Sequence, residues 1–304
     1  MKKTQIYLFN IISLIARSTI PLLPTFHIAR IGDTGITSLV GHKYVSQSIY
    51  SLTSFYYQSK RLIPCTIIDD GTLTSSDIEA MKKHFVGIHI VSKKQANRRV
   101  HVLLKKYTSI LKFRNNQDIH KLYIKLTDAT LLPKYNKILY MDVDILFINT
   151  PIRLVRWIDT DEQTYLYEPE YRSPEWGIGD GWNFAGNALR HALNISFEER
   201  FNSGLLCLDK SLLPLHFINR VVAYMHKVQM DKTWPAEQYA LAAAFAQVHA
   251  QTFGRKYKHL AYPDVFVLNN ISSYDCVHFA YEAKPYFYKE ALKLFVKTNH
   301  FKSS

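Results

Sequence analysis

The stretch that most constrains this chain is KILYMDVDILF, residues 137–147. Ile138, Leu139, Tyr140 and Met141 form the kind of apolar run that a strand buried on both faces requires. The run breaks into Asp142-Val143-Asp144 and resumes at once with Ile145-Leu146-Phe147. Bare carboxylates are costly to bury in so apolar a segment. In an extended backbone, residues i and i+2 point to the same side, which predicts that Asp142 and Asp144 present both carboxylates to one point. Two such groups at close range repel, and a shared cation or one raised pKa relieves the repulsion. A DxD triplet alone also fits a strand ending in a polar turn. The apolar strand on both sides and the Lys137 lead-in favour the metal reading.

The preceding sequence predicts the layers around this strand. Ile36 to Val40 reads as a first strand between Gly35 and Gly41, with a helical pattern from Ser46 to Tyr57. Leu62 to Ile68 reads as a second strand, ending in Asp69-Asp70-Gly71. Thr74, Ser75 and Ser76 followed by Asp77 and Glu79 signal a helix start, with the helix running to about Phe85. Val86 to Val91 is a third strand candidate. Residues 93–114 form an amphipathic pattern with Val100, Leu103, Leu104, Tyr107, Ile110 and Leu111 on the apolar stripe. A further helix is expected from Ile119 to Leu132, stopped by Pro133, with Lys121, Lys125 and Asp128 on a polar face. Strands alternating with helices define an α/β fold with a mainly parallel central sheet flanked by helices. Ligands of such sheets bind beyond the carboxyl ends of the strands, which places Asp70, Asp142 and Asp144 at one rim.

After Pro151 periodicity fades. Residues 168–200 are rich in Trp, Gly, Asn and charge, and are expected to form an acceptor-facing loop. FNSGLLCLD, residues 201–209, reads as a turn entering a buried strand. Helices are expected at about Leu212 to Val228 and from Pro235 to about Val248. Val265 to Leu268 and Val277 to Phe279 are strand-like, and KPYFYKEALKLFV is expected to be a short terminal helix. The organisation expected is an apolar helical segment over 1–30 and a single domain over 31–304.

With 47% hydrophobic and 13% aromatic residues among 304, the chain can bury a substantial core and is not disordered. Its net charge of +13 calls for an anionic partner, and residues 93–114 hold eight Lys or Arg and no acid. A basic nucleic-acid-binding protein is the rival from another class. Tyr107 and Phe113 lie among these basic residues without any recognisable binding motif, so no nucleic acid partner is expected. Cys65, Cys207 and Cys276 are sparse and in apolar surroundings, which argues for a reducing, cytoplasmic compartment. Lys2-Lys3 followed by Ile6 to Ala16 has the outline of a signal peptide, but Asn10 and Ser13 interrupt it and no A-x-A-like site follows. It is too short to span a membrane. The expectation is a helix packed on the domain, with peripheral contact at the inner face of the membrane as the other reading.

Several features stand in a fixed order: the Asp69-Asp70-Gly71 turn, the segment carrying Lys125 and Asp128, KILYMDVDILF, FNSGLLCLD, Glu237-Gln238, and HFAYEAKPY at 278–286. The series resembles the GT-A glycosyltransferases of the glycogenin and lipopolysaccharide galactosyltransferase kind over roughly residues 36–290. The resemblance implies a metal-dependent hexosyltransferase using a nucleotide-diphosphate sugar, UDP-linked, and an acceptor hydroxyl on a glycan or lipid-linked glycan, with retention of configuration. It implies Mn2+ or Mg2+ held by Asp142, Asp144 and His278. It places Lys284 on the diphosphate, Asp70 near the nucleotide, Lys125 toward the donor, Asn202 at the sugar or acceptor, and Gln238 at the catalytic rim. Two departures stand out: the family pattern has Gly at the position of Tyr281 and Trp at that of Tyr286, so the backbone before Lys284 is expected to run differently. An oxygen-rich shell with one imidazole suits Mn or Mg, Mn using the histidine better. The alternative within phosphate chemistry is a metal-dependent nucleotide hydrolase or phosphotransferase, which requires a water-activating base near the DxD that the sequence does not show.

Overall fold

In a computed structural model, residues 3–116, 121–169, 188–195, 201–233, 236–248 and 250–300 are described. The strands are β1 (Phe26–His27), β2 (Thr34–Val40), β3 (Cys65–Asp69), β4 (Phe85–Val86), β5 (His89–Val91), β6 (Lys137–Met141), β7 (Ile145–Phe147), β8 (Leu166–Pro169), β9 (Phe201–Asp209), β10 (Gln251–Thr252), β11 (Tyr257–Leu260) and β12 (Cys276–Phe279). The helices are α1 (Lys3–Thr19), α2 (Val45–Ser59), α3 (Ser75–His84), α4 (Lys93–Leu104), α5 (Thr108–Asn115), α6 (Ile152–Asp159), α7 (Leu215–Lys227), α8 (Ala236–Ala246), α9 (Val265–Asn269) and α10 (Lys284–His300).

A seven-stranded sheet runs in the order β10-β8-β9-β6-β2-β3-β5, and every neighbouring pair is parallel except the two that β9 makes. The mixed α/β architecture with a mostly parallel centre is the one expected. β6 sits inside the sheet and all of its residues are buried. Leu139 and Met141 join the core on one face, and Ile138 and Tyr140 join the core on the other. That explains why the sequence there is continuously apolar rather than alternating. β9 divides the same way, Leu205 and Cys207 against Leu206 and Leu208. The Ala-rich α8 is buried on nearly all sides, which small side chains allow.

Several local expectations hold. Thr74 caps α3 in a capping box with Asp77. The second strand ends at Asp69, where the Asp-Asp-Gly turn begins, and Gly71 takes φ +97. Other details differ. β6 and β7 are not one strand: β7 leaves for a second sheet in the order β11-β12-β7, and a turn over Asp142–Asp144 separates them. The basic amphipathic segment breaks into two helices between Leu104 and Thr108, and Leu103 is exposed rather than on the buried stripe. Val265–Asn269 is a helix, not a strand, because Asp264 caps it by accepting from the amides of Phe266 and Val267. The terminal helix is long, 17 residues, and pairs with α1.

The segment before β6 departs most. A π-helical turn spans Lys125–Ala129, and Lys125 and Asp128 are both buried instead of sharing a polar face. Asp128 is fully enclosed and accepts two hydrogen bonds from Arg114, at 2.7 Å from Nε and 2.8 Å from Nη2. Arg114 therefore turns inward from the basic helix to neutralise a buried acid. Residues 119–120 of that expected helix lie outside the described residues. Lys137 is also structural: its buried Nζ donates to the carbonyl of Trp157 at 2.7 Å.

Candidate active site

The turn at the end of β6 brings the two aspartates together. The Asp142 amide donates to the Gly204 carbonyl at 2.7 Å, and the Asp144 carbonyl accepts from the Phe279 amide at 2.8 Å. One end of the turn is thus fixed to β9 and the other to β12. Asp142, Asp144 and His278 each offer one ligand atom, and these atoms lie within 4.8 Å of one another. The convergence comes from this turn and two sheets, not from the i, i+2 alternation of one strand.

Three of the four carboxyl oxygens face basic groups. Asp144 Oδ1 faces His278 Nε2 at 3.2 Å, and its Oδ2 faces Lys284 Nζ at 3.2 Å. Asp142 Oδ1 accepts from the Tyr140 hydroxyl at 2.6 Å, and Oδ2 faces Lys125 Nζ at 3.1 Å. Glu168, wholly buried at the end of β8, holds the far side of the imidazole, with Oε2 2.8 Å from His278 Nδ1. Burial alone would lower the His278 pKa, but Glu168 and Asp144 outweigh it and push it up to about 10. Burial would raise the Asp144 pKa, but His278 and Lys284 hold that carboxyl well below the usual range.

A second buried group adjoins it. Lys125 Nζ lies 3.5 Å from Glu237 Oε1 and donates to Ser203 Oγ at 3.2 Å. Burial and Asp142 raise the Glu237 pKa, with Lys125 opposing them. Gln238 Oε1 accepts from the Ser203 amide at 3.3 Å, which ties α8 to β9. Asn202 Oδ1 accepts from the Gly204 amide at 2.8 Å. Both amide side chains are buried beside the cluster.

Gly204 is where close approach requires glycine. A Cβ there would stand 2.2 Å from His278 Cε1 and 2.9 Å from Asn202 Oδ1. Tyr281 takes φ +45, in the left-handed region that glycine favours. The ammonium of Lys284, three residues on, reaches Asp144.

Of the residues expected from the sequence, Asp142, Asp144, His278, Lys284 and Lys125 converge directly, and Asn202 and Gln238 line the adjoining strand. Asp70 follows β3 at the same rim but stands outside the three-residue cluster, and its Oδ1 accepts from the Thr72 amide at 2.9 Å. Glu168, Ser203 and Glu237 belong to the site and escaped the sequence-based set. Glu237 was visible as the neighbour of Gln238. Glu168 had no local signal, since it reaches His278 only through the β8–β9–β6 order. Residues 170–187 and 196–200 of the expected acceptor loop lie outside the described residues.

Around the cluster, Asp142, Asp144, Glu168 and Glu237 outnumber Lys125, Lys284 and His278. The shared, partly open face of Asp142 and Asp144 with an imidazole fits a divalent cation by donor chemistry and charge. A strand-end DxD of this kind on a mostly parallel α/β sheet defines a GT-A glycosyltransferase. The family model for glycosyl transferase family 8 matches residues 36–290, and the chain belongs to that family. No curated protein sequence matches it. Solved structures of similar fold include the galactosyltransferase LgtC in complex with donor and acceptor sugar analogs, at 12% identity and TM-score 0.53, covering 86% of this chain and 94% of that one. Mouse xyloside xylosyltransferase 1 matches at 8% identity and TM-score 0.52, covering 84% and 97%. Glycosyltransferase GlyE of Streptococcus pneumoniae matches at 10% identity and TM-score 0.51, covering 90% and 64%.

Proposed function

We propose that this glycosyltransferase moves a hexose from a UDP-linked donor to a hydroxyl of a glycan acceptor, lipid-linked or at a surface, with retention of configuration and with Mn2+ preferred over Mg2+. The observation that carries the reading is the convergence of Asp142, Asp144 and His278 within 4.8 Å, with Lys284 against Asp144. Structural similarity to a galactosyltransferase bound to donor and acceptor sugar analogs supports the kind of substrates.

Asp142, Asp144 and His278 would hold the cation, which when bound supplies positive charge against the developing charge of the leaving diphosphate. Lys284, half exposed at the start of α10, adds a point charge for the same phosphates. Glu168 fixes the imidazole through Nδ1, leaving Nε2 as the ligand atom. Lys125 holds Asp142, Ser203 and Glu237 in one arrangement, and so couples the cation ligands to the strand that carries Asn202. Asn202 and Gln238 then face the sugar and acceptor, and Asp70 lies at the nucleotide end of the rim. A glycosyl donor passes through an oxocarbenium-like transition state, so help to the leaving group outweighs a strong nucleophile.

A thermal-shift screen of nucleoside diphosphates with and without Mn2+ tests this. The expected result is stabilisation by UDP that requires the metal and disappears in Asp144→Asn. Metal-independent stabilisation, or none by any nucleotide, would overturn it. Proton NMR of the first-formed product from an α-linked donor decides retention.

A further inference from the structure

Helix α1 carries apolar residues on two faces. On one, Phe9 meets Tyr286 of α10 edge-on at 4.7 Å, and Ala16 is fully buried under Tyr50, whose hydroxyl donates to its carbonyl at 2.8 Å. The other face is open to solvent among the described residues. Tyr7 is 74% exposed, Leu8 56%, Ile11 44%, Leu14 66% and Ile15 50%. Their spacing, i, i+1, i+4, i+7 and i+8, gathers them into one stripe on the helix. Leu22, just beyond the helix, is 67% exposed. A single exposed leucine is ordinary, but a contiguous stripe of this length on a packed helix marks a surface for something else.

Charge says what covers it. Lys2, Lys3, Arg17 and Arg30 precede Asp33, and no acid stands before it. Arg17 is exposed near the end of α1 and Lys289 on the paired α10, where the ammonium of Lys293 is paired with Glu290. A second copy would bring this basic surface against its own like charge. No helix among the described residues is long and apolar enough to cross a membrane, and α1 has 17 residues. An amphipathic helix with apolar side chains outward and cations around it lies in the interface of a bilayer.

We propose that the outward face of α1 docks the enzyme on an anionic lipid surface, with Tyr7, Leu8, Ile11, Leu14 and Ile15 entering the boundary between headgroups and acyl chains. The inference does not depend on the catalytic reading, because vesicle binding is measured without donor or acceptor. It would hold the site beside a lipid-borne acceptor.

The full chain is mixed with vesicles of neutral phosphatidylcholine, or of phosphatidylcholine with phosphatidylglycerol, and floated on a density gradient. The expected result is capture by the anionic vesicles, weakened by salt, and reduced at least tenfold in Leu8→Gln/Leu14→Gln. Both side chains are exposed, so an unchanged melting temperature accompanies the loss. Position is read with an environment-sensitive dye on Leu14→Cys, the native Cys65, Cys207 and Cys276 being buried. Val102→Cys on the basic α4, 66% exposed, is the comparison. Dye emission that rises at position 14 and stays constant at 102 supports the proposal. No capture by anionic vesicles overturns it. So does capture that the double variant keeps, emission that rises at 102 alone, or a dimer of the parent chain that the double variant abolishes.

Discussion

Gly204→Ala puts a single methyl group against the imidazole of His278. The added carbon would lie 2.2 Å from Cε1 and 2.6 Å from Nδ1. Carbon atoms in contact sit at about 3.5–4.0 Å, so one partner must retreat by roughly 1 Å or more. The imidazole has little freedom to do so, because Nδ1 is held by Glu168 at 2.8 Å and Nε2 faces Asp144 at 3.2 Å. The backbone is no freer, since the Gly204 carbonyl accepts from the Asp142 amide at 2.7 Å. Whichever gives way, a ligand of the proposed cation moves several times farther than the ~0.2 Å that metal–ligand distances tolerate. We expect Mn2+ affinity to fall about 100-fold, with an overpacking cost of about 1–3 kcal/mol. Titration calorimetry with Mn2+ and a denaturant melt measure the two separately. Gly35→Ala is the control, since its Cβ would meet the Tyr135 ring at 2.5 Å, away from the cluster. It should lose stability and keep its affinity. A Gly204→Ala protein that binds Mn2+ within about threefold of the parent would refute the reasoning that His278 Nε2 is a ligand held by its neighbours.

Other outcomes follow from the same geometry. Glu168→Gln keeps the shape but removes the charge on Nδ1, and should weaken Mn2+ binding about 10–100-fold with a smaller change in melting temperature. A calorimetric affinity equal to the parent's would exclude that role. His278 is held up at about 10 against an ordinary 6.5, so in the absence of a cation its contribution to stability is complete below about 6.5 and is lost as pH rises toward 10. Cation binding at Nε2 must displace that proton, so Mn2+ affinity should rise by up to about tenfold per pH unit across this window, with a thermal shift larger at alkaline than at neutral pH. A pH-independent shift would contradict it. Arg114→Ala leaves Asp128 enclosed without its guanidinium and should cost about 3–5 kcal/mol in urea unfolding, far more than neutralising the exposed Lys105.

The sequence alone determined the frame of this protein. A strand buried on both faces reads as a continuous apolar run, so KILYM announced its place in the sheet interior, and Thr74 with Asp77 announced a helix start. It also determined the most distinctive pair, because carboxylates next to such a run need a partner. What it could not decide was how distant segments meet. The Asp142–Asp144 turn separates two sheets, a break that local periodicity does not record. Lys125 and Asp128, three residues apart, go to different partners because a π-helical turn shifts the helical register between them. Glu168 reaches His278 across 110 positions of chain, and Arg114 leaves a solvated helix to meet a buried acid. Such pairings are settled by desolvation, which makes a buried charge costly unless the topology offers it an opposite charge or hydrogen-bond partners. The outward stripe of α1 is the converse case: its spacing was always in the sequence, but packing on α10 decided which face was covered and which was left for another surface.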